Sequence, residues 1–350
     1  MDVLIVGPAS RRGGGIAQYI AEQQRHLNEV DTRLYDTHTE VDGGTLEYVR
    51  AALLSVVTML AFPFRRRPDV VHVHTSHRFS FYRNALYVLF VAYVWRRPVV
   101  LHVHGSSFDE FVLTDSYAVA TLQRVVFDVS DRVVVLSEYW KEVVGLRADE
   151  ETLVVLPNAV DASDFSPSFD HDEPHLVFIS NHIERKGIVE LTDAVDRLKR
   201  NGSPSFRVSI AGRGPLSDHA ESLSESYDDT EYLGFVSEER KQELLEEASI
   251  YALPTYAEGL PIALLEGMAG GNAVVTTDVG SIPEVVDREN GRIVSPGNVD
   301  DLETALAELV EDHDAATGMG ETNYETVTEE YAWSTASDRL DDLYRSVAAG

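Results

Sequence analysis

Glu258 and Glu266 open and close the run EGLPIALLE, directly after the apolar stretch ASIYALPTY. In a chain with 59 acidic residues such a pair arises readily by chance, so its meaning rests on its surroundings. These read as an apolar strand, a short turn through Glu258 and Gly259, and a helix predicted to begin at Pro261. Proline suits a first helical position because the N–H it lacks would have no partner there. The remaining N–H groups of such a first turn carry partial positive charge, so a strand-to-helix junction of this kind binds anions.

Lys186 lies in FISNHIERKGIVEL, between a strand end and the next helix, in a chain whose other lysines are Lys141, Lys199 and Lys241. A cation there can neutralise a leaving diphosphate, and Gly187 at a helix start favours that role over a solvated loop lysine. Arg185 is the weaker candidate for the task. Asn181 either donates to a phosphate or hydroxyl or forms a turn. The first loop, PASRRGGGIAQYI, leads Gly13, Gly14 and Gly15 into a helix, where backbone can approach a phosphate closely. Counted from Gly7 the spacing is not that of a dinucleotide fingerprint, and no Gly-Lys-Ser/Thr follows, so a P-loop also loses weight; a plain flexible turn is the other reading.

His72 and His74, then His102 and His104, end two strands of the first half. Ligands bind beyond the carboxyl ends of parallel strands, so His104, followed by Gly105, Ser106 and Ser107, is the candidate hydrogen-bonding residue at a reaction centre. A buried structural histidine is the alternative. No carboxylate stands close to the four in sequence, and no metal site is expected. Asp170, His171 and Asp172 form a DxD triplet, but in an acidic linker rather than at a strand end, and read as a solvated hinge. Ser137, Glu138 and Asn158 follow strands and face the presumed cleft.

The elements that must hold these groups alternate from one end to the other. Runs at Val3, Asp69, Pro98 and Asp131, then at His175, Phe206, Thr230, Ser249, Asn272 and Gly291, read as strands separated by helical stretches. Near-continuous apolar strands of this kind belong to parallel sheets covered on both faces. The fold expected is α/β, with two doubly wound Rossmann-like domains facing a central cleft. Residues 151–175 break the rhythm with three prolines and four aspartates, which places the domains at 1–165 and 166–335. Residues 336–350 form a terminal helix expected to pack back on the first domain.

Composition narrows the partners. A net charge of −30 repels a phosphate backbone, so nucleic acid is excluded as a general partner. The acidic, lysine-poor surface resembles that of proteins from salt-loving archaea. The imbalance is local: residues 1–165 hold 16 basic and 21 acidic side chains, residues 166–350 hold 13 and 38. With no cysteine there is no thiol catalysis, no cysteine-bound zinc and no disulfide, which is compatible with a reducing cytoplasm. The start, MDVLIVGPAS, enters a strand at once and does not read as a secretion signal. The apolar segments Val49–Arg67 and Phe79–Pro98 are poor spans, the first meeting Pro63 and the second carrying Arg83 and Asn84. They read either as buried helices or as a surface touching lipid through Arg65, Arg66, Arg67, Arg96 and Arg97.

Taken in order, the GGG loop, DVVHVHTS, VVLHVHGSSF, DRVVVLSE, VLPNAVD, ERKG, AGRGP, YLGFV and EGLPIALLEGMAGGNAVVTTDVGSIPEVV resemble the retaining GT-B glycosyltransferases of family 4. The resemblance covers essentially the whole chain and is most specific in its carboxy-terminal block. It implies transfer of a hexose from a nucleotide-diphosphate sugar to a glycan or lipid-linked acceptor, with retention, in surface polysaccharide or glycoprotein glycan assembly. The first domain would bind the acceptor and the second the nucleotide sugar. Glu258 matches the first glutamate of the family's pair, near the donor sugar, and Glu266 the second, which accepts from ribose hydroxyls. Gly259, Leu260 and Pro261 match the turn against sugar and diphosphate, Lys186 the diphosphate lysine, Gly14 and Gly15 the glycine loop, and His104 the histidine near the transferred sugar. Where the family usually has arginine, Asn181 stands, which takes one positive charge from the leaving group's surroundings. A nucleotide-sugar-binding subunit without turnover and a sugar-nucleotide epimerase are the alternatives. No cofactor is expected, and the protein is placed in the cytoplasm, with contact on the cytoplasmic membrane face.

Overall fold

The computed structural model of the chain describes residues 1–9, 14–37 and 54–350. Gly13 of the glycine loop and residues 49–53 of the first apolar segment lie outside the described residues. Two compact units are present: Met1–Pro157 with Trp333–Gly350, and Asn158–Ala332. Against the expected divisions after 165 and 335, the units change over at Pro157/Asn158 and Ala332/Trp333. The cause is local. Asn158 Nδ2 donates to the Leu260 carbonyl at 2.6 Å and Val160 bridges Ala332, so the stretch after Pro157 already belongs to the second unit.

The first unit runs β1 (Asp2–Gly7), α1 (Gly14–His26), β2 (Asp31–Asp36), α2 (described over 54–61), β3 (Val70–Thr75), α3 (Phe79–Phe90), β4 (Val99–Val103), α4 (Phe108–Val112), α5 (Tyr117–Asp128), β5 (Arg132–Val135), α6 (Glu138–Gly145) and β6 (Leu153–Val155). Its strands are parallel in the order β2-β1-β3-β4-β5-β6. Every residue of β3 and β4 is buried, as the unbroken valine-rich runs demand of strands covered on both faces. Register pairs His74 with His102, and alternation then sets His72, His74, His102 and His104 on one face of the sheet. Helix α1 and the C-terminal helix Trp333–Ala349 both reach this face: Gln23 donates to Tyr344 Oη at 2.7 Å, and Tyr344 Oη lies 2.6 Å from His72 Nδ1. Strands β2 and β6, outside the expected set, lie at the two edges of the sheet.

The second unit runs β7 (His175–Ile179), α7 (Ile188–Arg200), β8 (Arg207–Ala211), α8 (Ser217–Ser226), β9 (Thr230–Gly234), α9 (Glu238–Glu247), β10 (Ile250–Leu253), α10 (Ile262–Ala269), β11 (Ala273–Thr277), β12 (Gly291–Val294), α11 (Val299–Glu311) and α12 (His313–Glu330). Helix α7 buries Ile188, Leu191, Val195 and Leu198, the stripe of a 3.6-residue period, against Leu176 and Phe178 of β7 and Val208 and Ile210 of β8. The parallel strand order is β12-β11-β10-β7-β8-β9. Chain direction along the sheet therefore reverses between β7 and β10. Beyond the carboxyl ends of strands at such a switch point lies the crevice in which doubly wound sheets bind ligands.

Candidate functional site

The loops that leave β7 and β10 at this switch point carry Lys186 and Glu258. Lys186 ends a tight turn, Glu184–Lys186, and Gly187 follows with φ of 72°. A Cβ at Gly187 would stand 2.0 Å from the Pro254 carbonyl oxygen, so only glycine lets the first loop lie against the end of β10. That close approach joins residues 72 positions apart: Lys186 Nζ donates to Glu258 Oε1. Arg185 Nη1 lies 3.4 Å from the same oxygen and donates to the Ala257 carbonyl at 2.6 Å, and Thr255 Oγ1 lies 3.2 Å from it. Glu258 is buried, and a buried carboxylate is tolerated only when paired and hydrogen-bonded in this way.

The turn after Glu258 is braced from two sides. Asn158 holds the Leu260 carbonyl, and the Ser281 N–H donates to the Gly259 carbonyl at 3.0 Å. Gly280, with φ of 56°, is packed so tightly that a Cβ would meet the Glu258 carbonyl oxygen at 2.0 Å. Pro261 is the cap of α10 rather than its first helical residue: its ψ of 123° is extended, and the helix begins at Ile262. Glu258 thus stands in the turn before the helix, and Glu266 alone of the pair lies on it.

Glu266 has its own lysine. Lys241 Nζ, on α9, lies 2.8 Å from Glu266 Oε1 and 2.6 Å from Glu238 Oε2. Burial pushes the Lys241 ammonium down, but the two carboxylates outweigh it and hold its pKa above the ordinary lysine value. Two of the chain's four lysines therefore serve the two glutamates of one motif. Sequence reasoning missed Lys241, Thr255 and the task of Asn158; the scarcity of lysine was the signal that could have found Lys241. Asn181 is exposed and its carbonyl accepts from the Ile183 N–H at 2.9 Å, the geometry of a turn former.

In the first unit, Gly14 opens α1 with φ of 74°, and among the described residues a Cβ on either Gly14 or Gly15 would meet nothing within 4 Å. Both sit beyond β1, beside the reversal between β1 and β3. His104 follows β4, half-buried, with its Nε2 2.9 Å from His74 Nδ1. Burial pushes His104 down to about 3, so the ring is neutral at neutral pH. His72 is pushed to about 3 by burial and then by His104, and His74 and His102 move the same way. Nitrogens of His72, His74 and His102 come within 4.8 Å of one another. Two of these rings are already engaged, His72 Nδ1 lying 2.6 Å from Tyr344 Oη and His74 Nδ1 2.9 Å from His104 Nε2.

Of the weaker sequence candidates, Ser137 caps α6, accepting from the Trp140 N–H at 3.4 Å. Asp170, His171 and Asp172 line an acidic depression with Glu243, Glu246 and Glu247, away from the β7 and β10 loop ends.

Two family models match this chain: glycosyltransferase family 4 over residues 42–164 and glycosyl transferases group 1 over residues 160–326. The phosphatidylinositol N-acetylglucosaminyltransferase gpi3 subunit of Schizosaccharomyces pombe is 28% identical over 295 residues, 81% of this chain. The chain spans 62% of that relative's length. Among solved structures, sucrose-phosphate synthase from Thermosynechococcus elongatus superposes with a TM-score of 0.80 at 15% identity, covering 100% of this chain and 99% of that one. Anabaena HepE in complex with UDP-glucose gives 0.74 at 16% identity, covering 99% and 100%. The two doubly wound sheets and both matched models agree, and the chain belongs to the GT-B glycosyltransferases of family 4.

Proposed function

We propose that this chain is a retaining hexosyltransferase that moves a hexose from a nucleotide-diphosphate sugar to a glycan or lipid-linked acceptor, in assembly of a surface polysaccharide or glycoprotein glycan. The observation that carries the reading is the meeting of Lys186 and Glu258 at the β7/β10 switch point, with Glu266 on the helix that follows. Breaking the bond from anomeric carbon to phosphate leaves negative charge on the diphosphate and positive charge on the sugar ring. Lys186 meets the first, with Gly259, Leu260 and Pro261 presenting backbone at the start of α10 and Gly14 and Gly15 offering open backbone at the start of α1. Glu258 faces the sugar, and Glu266, paired through Oε1 with Lys241, holds the ribose hydroxyls. His104, neutral, is a hydrogen-bonding partner of the transferred sugar.

Glu258 is committed to Lys186, Arg185 and Thr255, which suits positioning better than nucleophilic attack. We therefore assign front-face displacement, in which the acceptor hydroxyl attacks from the side the diphosphate leaves: its oxygen bonds the anomeric carbon as the bond from that carbon to the diphosphate oxygen breaks, and its proton passes to the departing diphosphate. Charge on the leaving group is met by the side chains named, so the reading assigns no part to a metal or cofactor. Arg185 brings a second positive charge to the Glu258 carboxylate, which supplies from another position what Asn181 does not carry.

The acceptor side carries a further expectation. Leu54, Val57 and Leu60 of α2 are 47%, 61% and 68% exposed, Phe64 is 89% exposed, and Arg65, Arg66 and Arg67 follow directly. A helix face of this kind beside arginines suits the cytoplasmic surface of an anionic bilayer and a lipid-linked acceptor. Among the described residues no helix is long and apolar enough to cross a membrane.

The test is release of nucleoside diphosphate by the purified chain in molar salt, given candidate nucleotide sugars and acceptors. Glu258→Ala and Lys186→Ala should each slow release at least a hundredfold, about 2.7 kcal/mol of lost transition-state stabilisation. Release as fast as in the parent sinks the site. A binding subunit would show calorimetric binding with no product under any acceptor, and an epimerase would change the donor with no acceptor present.

A further inference from the structure

We infer that His74 is a positioning residue for His104: its Nδ1, 2.9 Å from His104 Nε2, fixes the ring plane and the tautomer of His104 and leaves Nδ1 of His104 as the nitrogen that meets a ligand. The inference rests on the reading of His104 as the residue beside the transferred sugar.

The geometry is that of an in-plane hydrogen bond. The two ring centres are 5.1 Å apart and the planes differ by 24°, so with nitrogens at 2.9 Å the rings meet edge to edge. The contact of His104 with His102 is different in kind, a face-to-face stack at 3.9 Å, and the Tyr19 ring lies 5.0 Å away. His104 is thus held at one edge and packed on its faces.

His74 is suited to act as the fixed member. It lies inside β3, its register set by pairing with His102, and the buried Asn84 of α3 donates to its carbonyl at 2.8 Å. Its other nitrogen, Nε2, has no partner among the described residues, and an orphaned buried N–H is the costlier choice there, which puts the His74 proton on Nδ1, donating to His104. Two neutral imidazoles can share only one proton across such a contact, one ring donating and the other accepting. Burial keeps both rings neutral at neutral pH, so the pair does not become two repelling cations. Turning the His104 ring over would place a carbon where Nε2 now sits and break a bond that solvent does not replace.

Long-range proton–nitrogen spectra of the full chain labelled in its imidazole nitrogens read this directly, with the His104 signals assigned by their loss in His104→Gln. The parent should show one neutral His104 tautomer at pH 7. In His74→Leu the second tautomer should rise to a comparable population, and kcat should fall about tenfold with KM within about twofold. His74→Asn, which places an amide where Nδ1 stands, should restore the single tautomer and most of kcat. Mixed His104 tautomers in the parent overturn the inference even if His74→Leu does not fold, and an unchanged single tautomer in folded His74→Leu overturns it as well. A His104→Ala chain that turns over as fast as the parent would instead remove the reading of His104 beside the sugar, an outcome the tautomer spectra do not depend on.

Discussion

Lys241 and Glu266 form an ion pair of 2.8 Å between α9 and α10, with side chains 16% and 11% exposed. Most surface ion pairs contribute little because water screens them and side-chain entropy opposes them. This one is largely withdrawn from water, and it engages one carboxylate oxygen of the residue proposed to hold the ribose. Lys241→Met should leave the buried Glu266 without its lysine, weakening the fold by roughly 2 kcal/mol and raising the Kd for a nucleoside diphosphate about tenfold. Lys241→Arg should recover most of the stability. Calorimetric titration and thermal unfolding measure both effects, and a Kd within twofold of the parent would detach Lys241 from the nucleotide.

Gly280 and Gly318 should respond to alanine with opposite signs. A Cβ at Gly280 would collide with main-chain oxygen of Glu258, and its φ of 56° already disfavours any other residue. Gly280→Ala should cost roughly 2–4 kcal/mol and displace the Glu258–Gly259 turn, with loss of donor binding. Gly318 lies in α12 with nothing among the described residues within 4 Å of its Cβ position, so Gly318→Ala should stabilise by about 0.5–1 kcal/mol through helix propensity. Thermal unfolding of the two variants decides the matter, and a Gly280→Ala chain as stable as the parent would show that the turn is not braced there.

The strands that were legible before the structure are those whose burial is written in composition. VVHVHT and VVLHV are buried at every position and read as strands from their valines alone. β2, DTRLYD, is an edge strand with mostly polar, part-exposed side chains, held in part by Arg33 reaching Asp2 at 2.8 Å, and β6 has only three residues. Neither carries a local apolar signal. The motif residues were legible because they are close in sequence, but their partners were not: Lys186 meets Glu258 across 72 positions and Lys241 meets Glu266 across 25. Such pairs are set by strand order, which a single sequence does not state. The helix start was misplaced by one residue because proline is equally at home at the cap and at the first helical position, and only ψ separates the two.

The buried histidine row should make the fold acid-sensitive above the carboxylate range. His72 and His104 stay neutral in the folded chain down to about pH 3, whereas an unfolded imidazole protonates near its ordinary value of 6.5. Between these limits the unfolded state binds more protons, so this part of the stability is whole above pH 6.5 and is lost as pH falls toward 3. Each such ring gives a slope of about 1.4 kcal/mol per pH unit. His102, held down by burial and its histidine neighbours, has no hydrogen-bond partner at either nitrogen among the described residues, so His102→Leu removes its slope without breaking a bond described there. Denaturant unfolding at pH 7, 6 and 5 should show the variant losing less stability than the parent at each step. Parallel curves would mean that the ring is protonated in the folded chain.

The arginines after α2 make a separate claim about location. A chain of net charge −30 is repelled by an anionic bilayer as a whole, so any attachment must come from a local reversal of sign next to apolar surface. Arg65, Arg66 and Arg67 supply the first, and the exposed Leu54, Val57, Leu60 and Phe64 the second. Each basic residue near an anionic surface contributes about 1 kcal/mol, so replacing all three with glutamine should lower the partition coefficient by roughly two orders of magnitude at moderate salt. The difference should shrink in molar salt, where such charges are screened within a few ångströms. Sedimentation with anionic and with neutral liposomes separates the contributions: the parent should pellet with the first and much less with the second, and the triple variant with neither. Equal pelleting of parent and triple variant with anionic liposomes would leave the arginines without a part in membrane contact.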